Sequence, residues 1–490
     1  MQAIRHLHKP AQLALLVLLV AGAVAIAYFS VFIPVAKGML LPAALIGATA
    51  VILIVYRYQW GLAVLFFISI FMFYIQRTFQ TDFPFGVVYD FLVMVMFGAM
   101  LLTNKEKLDW SNFFNPITIM FLLMIGYHLI QVFNPMGTKL AWLVSLRRNV
   151  LFILYLLFLQ VSLHKKHLRY FMKIWLSMAV IVALYGIHQE VFGLSEAELR
   201  WIYADPDRVS IYLVWGELRN FSFLSDPSAY GIFTAFSALA CMVLAIRSSG
   251  KTRFWYGLMA LVILVGLSFS GTRTGYAMIA VGMLFYIVLT MRSARSMMML
   301  VSIGVVAAVI FFGPFHGWQV NRIRSAFMPS EDASMGVRDD KRIRYQPFVR
   351  SHPFGGGVYT TAFFGLSYAP GHPFAGFDPD SGYLETAMES GWIGLVLLMG
   401  FVFVVTAVGV DRFFQVKDPE VKTIVLTVLV PFFAATVAHY AQNALFAKPV
   451  DLLVMAALAI LAQARELDRR NGTTSSSSQS IVQSKSELEA

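Results

Sequence analysis

Apolar stretches of about twenty residues recur along this chain at short intervals, and that recurrence restricts its fold more than any other feature. A helix needs about 20 apolar residues to cross the hydrocarbon of a bilayer. Such stretches lie near 11–33, 38–56, 60–76, 86–102, 113–133, 148–163, 170–192, 227–246, 254–270, 274–290, 297–315, 390–410, 423–442 and 449–464. The stretch at 274–290 follows its predecessor almost without a loop. Of the 490 residues 58% are hydrophobic and only 13% charged, against about a quarter charged in soluble domains. The predicted fold is all-α: a polytopic transmembrane helical bundle of about 12–14 spans. One transmembrane domain is expected over 1–464, followed by a disordered cytoplasmic tail over 465–490. The Ser-rich run Thr473 to Ser478 there reads as solvated chain. The first apolar run is too long, and too closely followed by another, for a cleaved signal peptide.

Charge then orients the spans. The net charge of +11 is no nucleic-acid signal in such a chain, because Lys and Arg mark cytoplasmic loops. With Arg5 and Lys9 inside, the inner loops hold Lys165, Lys166 and Arg169, then Arg247, Lys251 and Arg253, then Arg412, Lys417 and Lys422. Two long connections, near 194–226 and 316–383, fall on the opposite, outer side. Long ordered loops on one face of a bundle usually carry function. These contain Arg219, Arg338, Arg342, Arg344 and Arg350 where outer loops should be poor in arginine, and Arg273 stands at an outer helix end. Pairing with Asp332, Asp339 and Asp340 would account for the 338–344 cluster, but Arg219 and Arg273 have few acidic neighbours. A guanidinium in such a place suits bidentate capture of phosphate. The single cysteine, Cys241, permits no intrachain disulfide.

No phosphate-binding Gly-Lys loop, dinucleotide fingerprint, zinc-protease helix or serine-hydrolase elbow occurs. No Cys/His cluster has metal-ligand spacing, so neither metal nor cofactor is expected. Three outer pieces carry the chemical signal. The first runs from Leu218-Arg219-Asn220 to Asp226-Pro227-Ser228, where Asp226 reads best as a helix cap with Pro at N1. The second is Ser270-Gly271-Thr272-Arg273-Thr274-Gly275, read either as a close helix–helix bend or as an anion-binding concavity around Arg273. The third runs from Arg344-Tyr345 through Ser351-His352-Pro353-Phe354-Gly355-Gly356-Gly357 to Asp378-Pro379-Asp380-Ser381-Gly382-Tyr383-Leu384-Glu385 and Glu389-Ser390-Gly391-Trp392. Its three glycines mark a tight turn or a backbone that a ligand approaches closely. Asp380 and Ser381 read either as helix caps or, in the case of Asp380, as a general base.

These pieces, in this order, resemble the O-antigen ligase and polymerase family of bacterial membrane oligosaccharide transferases, whose fold is GT-C-like. The resemblance covers the span pattern from about residue 60 to 460. It implies a metal-independent glycosyltransferase of the inner membrane, its active site facing the periplasm or cell exterior. It also implies a large periplasmic loop between the late spans and a role in lipopolysaccharide or exopolysaccharide synthesis for the cell envelope. The implied donor is an undecaprenyl-pyrophosphate-linked oligosaccharide, the acceptor a glycan or lipid, and the surroundings membrane lipid, with no nucleic acid. Arg219 and Arg273 would hold the pyrophosphate, with Arg344 and Tyr383 also contacting substrate. Ligases of this family typically carry His-Asn or His-Ser before the Tyr-Leu pair. Here Asp380-Ser381 stands in that place, which shifts weight towards a polymerase or another acceptor and makes Asp380 the candidate catalytic base.

The alternative is a transporter or flippase of lipid-linked oligosaccharides. Such carriers are commonly built from two repeated halves, and no repeat between the first and second seven spans is evident. Among polar groups within the spans, Asp90 is expected to pair with Arg77 and Asp451 with Lys448, and His439 reads as a satisfied interior histidine.

Overall fold

A computed structural model describes residues 58–81, 83–103, 108–214, 216–291, 314, 324 and 343–488. The predicted spans 11–33, 38–56 and, apart from residue 314, 297–315, and the arginines between 325 and 342, lie outside the described residues. The other eleven predicted spans are all helical. They are covered by α1 (Tyr58–Phe79), α2 (Phe85–Thr103), α3 (Pro116–Ile130), α4 (Lys139–Ser145), α5 (Val150–Val161) and α6 (Lys165–Phe192), then, after two short surface helices, α7 (Glu196–Tyr203) and α8 (Pro206–Tyr212), by α9 (Pro227–Arg247), α10 (Gly250–Phe269) and α11 (Arg273–Leu289). After the short α12 (Ala362–Tyr368) come α13 (Gly382–Gln415), α14 (Pro419–Ala438) and α15 (Val450–Leu488). A helical stretch also covers 343–351. The described strands, β1 (Leu213–Val214) and β2 (Glu217–Leu218), form one small antiparallel pair. Nine helical segments among the described residues are long and apolar enough to cross a membrane.

By its internal contacts the chain divides into two compact units, residues 1–68 with 84–109 and residues 69–83 with 110–490. The last helix, α15, runs to Leu488. A packed helix is already nucleated, so each further residue adds a hydrogen bond without a new nucleation cost, and no proline interrupts the tail.

Local chemistry sets several helix starts. Asn115, Asp226 and Asp418 each cap a helix with proline at its first turn, their side chains accepting backbone N–H groups. Ser195 and Glu198 form a reciprocal capping box at α7. In the larger unit α9 and α14 form the centre, 83% and 78% of their apolar windows being buried. Helix α9 packs on α6, α10, α11 and α14; α14 also packs on α11, α13 and α15. The outer helices α3 and α10 bury only 22% of theirs, leaving Ile119, Leu123, Phe254, Trp255 and Leu261 exposed. In water such a surface would be a liability. In lipid it is the favoured one, because a helix satisfies its own backbone groups there.

The two ends of this unit differ. One end carries the ion pairs of Lys165 with Asp418 and Glu420, and of Arg169 with Glu420, beside the turn between α9 and α10. Asp468 accepts the backbone N–H groups of Lys417 and Asp418 there. The other end, the site end, gathers the C-termini of α3, α6, α10 and α14 with the N-termini of α9, α11, α13 and α15. The expected Lys448–Asp451 pair lies at this end, at 3.0 Å.

Candidate active site

Two of the three sequence pieces meet at one hydroxyl. Asp226 Oδ1 accepts the N–H groups of Ser228 (2.8 Å) and Ala229 (3.0 Å), and Oδ2 accepts the Ser225 hydroxyl. Asp226 is therefore the cap its sequence suggests. Thr272 Oγ1 donates to the Pro227 carbonyl at 2.7 Å and accepts from Arg219 Nη2 at 3.4 Å. Arg219 is thus held beside the residue that immediately precedes Arg273, where α11 begins. The close helix–helix bend is observed here, and it brings the start of α11 at Arg273 next to the residue that contacts Arg219. The Arg219 loop rests on α6: Asn220 Nδ2 donates to the Gly186 carbonyl (2.9 Å) and to Glu190 (3.1 Å), and Gln189 Oε1 accepts from the N–H of Ser222 (2.8 Å). Tyr212, on α8, donates its hydroxyl to the Ser225 carbonyl; burial pushes its phenol pKa well up, so it stays protonated.

The third piece is a backbone clasp. Helix α13 breaks at Gly391 (φ +68°), so the carbonyls of Met388 and Glu389 lose their usual partners four residues on. The N–H groups of Gly356 and Gly357 take those carbonyls at 2.7 and 2.9 Å, and Ile393 N–H takes the Pro353 carbonyl at 3.3 Å. A Cβ on Gly355 would lie 2.6 Å from the Glu389 carbonyl oxygen. The glycines therefore admit another stretch of protein backbone, where the sequence suggested a tight turn or a ligand. Asn134 Nδ2 reinforces the clasp by donating to the carbonyls of Phe354 and Gly355.

Within the clasp lies an ion cluster not singled out from the sequence. Arg148, in the 3-10 turn between α4 and α5, contacts Glu385 at 3.1 Å and Glu389 at 3.3 Å. Its guanidinium sits 4.2 Å from the centroid of the Tyr359 ring. The Glu389 side chain is only 2% exposed and also accepts the Thr361 hydroxyl at 2.7 Å. Glu385 accepts from Asn443 at 3.3 Å. The spacing of Glu385 and Glu389, four apart on one helical face, was the available signal.

Asp380 has φ +54°, a conformation that Asp tolerates better than most residues. Its N–H donates to Asp378 Oδ1 at 3.0 Å. The cap of α13 is Ser381, whose Oγ accepts the Leu384 N–H, so of the two residues suggested for capping it is Ser381 that takes the role. Ser381, Tyr383 and Leu384 line an open cavity of about 440 Å³ with Ile343, Gln346, Val349 and Tyr440. Tyr383 donates its hydroxyl to the Thr436 carbonyl at 2.8 Å and shapes the wall with its ring. Arg344 lies exposed on the 343–351 stretch beside the cavity, its guanidinium 5.7 Å from the Tyr345 ring. The α14–α15 loop links these features: Tyr440 lines the cavity, Gln442 donates to the Ser228 hydroxyl at 3.0 Å, and Asn443 reaches Glu385.

Three histidines of this end make local contacts through Nδ1, while Nε2 of His372 is buried without a partner among the described residues. His352 stacks on Phe348 (4.1 Å) and its Nδ1 lies 3.0 Å from the Phe348 carbonyl. His372 Nδ1 accepts from Phe374 N–H, and burial lowers its pKa, opposed by contact with Gly356 and by the Glu389 charge. His439 is half satisfied: Nδ1 accepts the N–H groups of Ala444 and Leu445, while Nε2 is buried without a partner among the described residues. Among the described residues no group of three His, Cys, Asp or Glu side chains is placed to hold a metal.

Apolar helices with lipid-compatible surfaces, and arginines and carboxylates gathered at one end, define a multi-pass membrane protein with a polar site at the ends of its helices. Residues 258–399 match the family model described as O-antigen ligase, so over that segment the chain is similar to that family. The matched residues include Arg273, the Gly355–Gly357 clasp, Asp380 and Tyr383. No curated protein matches the chain. The family match supports a glycan-transfer role in cell-surface polysaccharide synthesis.

Proposed function

We propose that this protein transfers or polymerises glycan from an undecaprenyl-pyrophosphate-linked oligosaccharide, at a site that faces the periplasm from the inner membrane. The observation that carries the reading is the junction at Thr272, which holds Arg219 beside the start of the helix headed by Arg273. In the proposed step an acceptor hydroxyl attacks the anomeric carbon of the donor sugar. The new C–O bond forms as the bond to the pyrophosphate breaks, and Asp380 takes the hydroxyl proton. The leaving carrier pyrophosphate gains negative charge, which Arg219 and Arg273 stabilise as preorganised cations. The cavity beside Ser381 and Tyr383 would receive part of a substrate, with Arg344 at its rim.

Purified protein in liposomes, supplied with a lipid-linked repeat unit, tests the proposal. Longer lipid-linked chains identify a polymerase, and transfer to a second acceptor identifies a ligase. Redistribution of the lipid across the bilayer with no new glycosidic bond would overturn the proposal in favour of a flippase.

A further inference from the structure

Arg77 has no place in the reaction as described, yet it is among the most completely buried side chains, at 2% exposed. A buried guanidinium is costly unless its donors are used. Nη1 donates to the Leu224 carbonyl and Nη2 to the Ser222 carbonyl at 2.8 Å. Its charged carbon lies 4.5 Å from the Phe221 ring centroid and 5.5 Å from that of Trp201, the distances of cation–π contacts. Everything it grips in this way, apart from Trp201, belongs to the loop between Arg219 and the cap Asp226. Ser222 has φ +52°, a conformation that costs a non-glycine residue energy and persists only when its surroundings fix it.

The two carbonyls also determine where the loop's donors face. In a trans peptide the N–H lies opposite the carbonyl, so the N–H groups of Phe223 and Ser225 are directed away from Arg77. Neither has an acceptor among the described residues, and both residues are half-exposed. We infer that Arg77 is a positioning residue, and that it holds the 219–226 loop so that Arg219 and the N–H groups of Phe223 and Ser225 face one anionic group. This rests on the proposed pyrophosphate-linked donor. The fork is essential to it, because an ammonium is a point charge that cannot hold two carbonyls in a fixed plane.

The test compares wild type with Arg77→Met and Arg77→Lys. It uses three readouts: hydrogen exchange of the 219–226 backbone, binding of undecaprenyl pyrophosphate, and turnover of the lipid-linked repeat unit. Arg77→Met should speed exchange within 219–226 at least tenfold while exchange in α9 and α14 stays as in wild type. It should weaken carrier binding at least tenfold, and Arg77→Lys should recover only part of that loss. Unchanged loop exchange, or unchanged carrier binding with a loosened loop, overturns the inference. If Arg77→Met fails to fold, Arg77→Lys alone decides by the same two readouts. A wild-type protein that binds the carrier but forms no glycosidic bond sinks the proposed function and leaves the Arg77 inference to be judged by exchange and binding.

Discussion

Replacing Gly231 with alanine should damage the site without touching any charged group. Gly231 lies in the second turn of α9, against the 270–273 turn. A Cβ there would fall 2.5 Å from Thr272 Cβ, 2.8 Å from its Oγ1 and 2.9 Å from its Cγ2. Ordinary contact begins at 3.4 Å, so the two segments must part by about 0.9 Å, and Thr272 is a β-branched residue with little rotamer freedom to yield. Sliding gives no relief, because a Cβ at Gly275 would itself lie 3.1 Å from the Gly231 carbonyl. The 2.7 Å bond from Thr272 to Pro227 and the 3.4 Å contact from Arg219 to Thr272 would both stretch beyond hydrogen-bond range. Overpacking costs ~1–3 kcal/mol and the lost Thr272 bond ~0.5–1.5 kcal/mol. A displacement near 1 Å at a reacting centre can cost ~10²-fold in rate. The assay is thermal unfolding in detergent beside turnover of the lipid-linked repeat unit. Gly257→Ala on α10, where an added Cβ meets nothing within 4 Å, is the control, and it should be neutral or slightly stabilising. Wild-type stability and turnover in Gly231→Ala would show that these helix starts are not locked at this separation.

Tyr230 is fully buried and its hydroxyl has no partner among the described residues; Tyr230→Phe should therefore leave the unfolding temperature unchanged or raise it, since an unsatisfied buried polar group costs ~1–3 kcal/mol. A marked drop would reveal a partner. Arg219→Lys and Arg273→Lys keep the charge but lose the fork, so turnover should fall at least about tenfold in each, measured with the protein's oligosaccharide products. Asp380→Asn should abolish turnover while undecaprenyl pyrophosphate still binds; near-normal product formation would transfer the role of base to Asp378, Glu385 or His372. Because Cys241 is buried, introduced cysteines report orientation cleanly: a membrane-impermeant thiol reagent applied outside should label Ser210→Cys and spare Ser249→Cys, and the reverse pattern would invert the topology.

What the sequence could reveal follows from the range of the forces involved. Span positions were legible because the bilayer demands an apolar window of fixed length whatever the tertiary contacts, and all eleven spans within the described residues are helical. Asp226 was legible as a cap because capping is settled within three residues. The choice between Asp380 and Ser381 is equally local, but it turns on one dihedral: at φ +54° Asp380 stands outside the helix, and its neighbour takes the cap. Arg219 and Arg273 could be nominated as a pair because each was a cation without an evident local anion. Their common hydroxyl, Thr272, could not, since small and hydroxylated residues at a bend are equally suited to packing.

The least legible groups were those whose partners are remote. Arg148 reaches Glu385 across 237 positions of chain, a separation at which no local charge pattern links the two. Gly355, Gly356 and Gly357 suggested a tight turn or a ligand; recognising a protein backbone as their partner needed the break at Gly391, which strips two carbonyls of their helical donors and so creates acceptors for the glycine amides. Arg77 is the extreme case. Charge patterning searches for opposite charges, whereas Arg77 is held by carbonyl oxygens and aromatic faces, which every segment of this chain could offer. A buried cation satisfied by backbone leaves no complementary residue in the sequence, so only the fold can name what it holds. What it holds here is the loop between the first proposed phosphate-binding arginine and the helix that begins at Asp226.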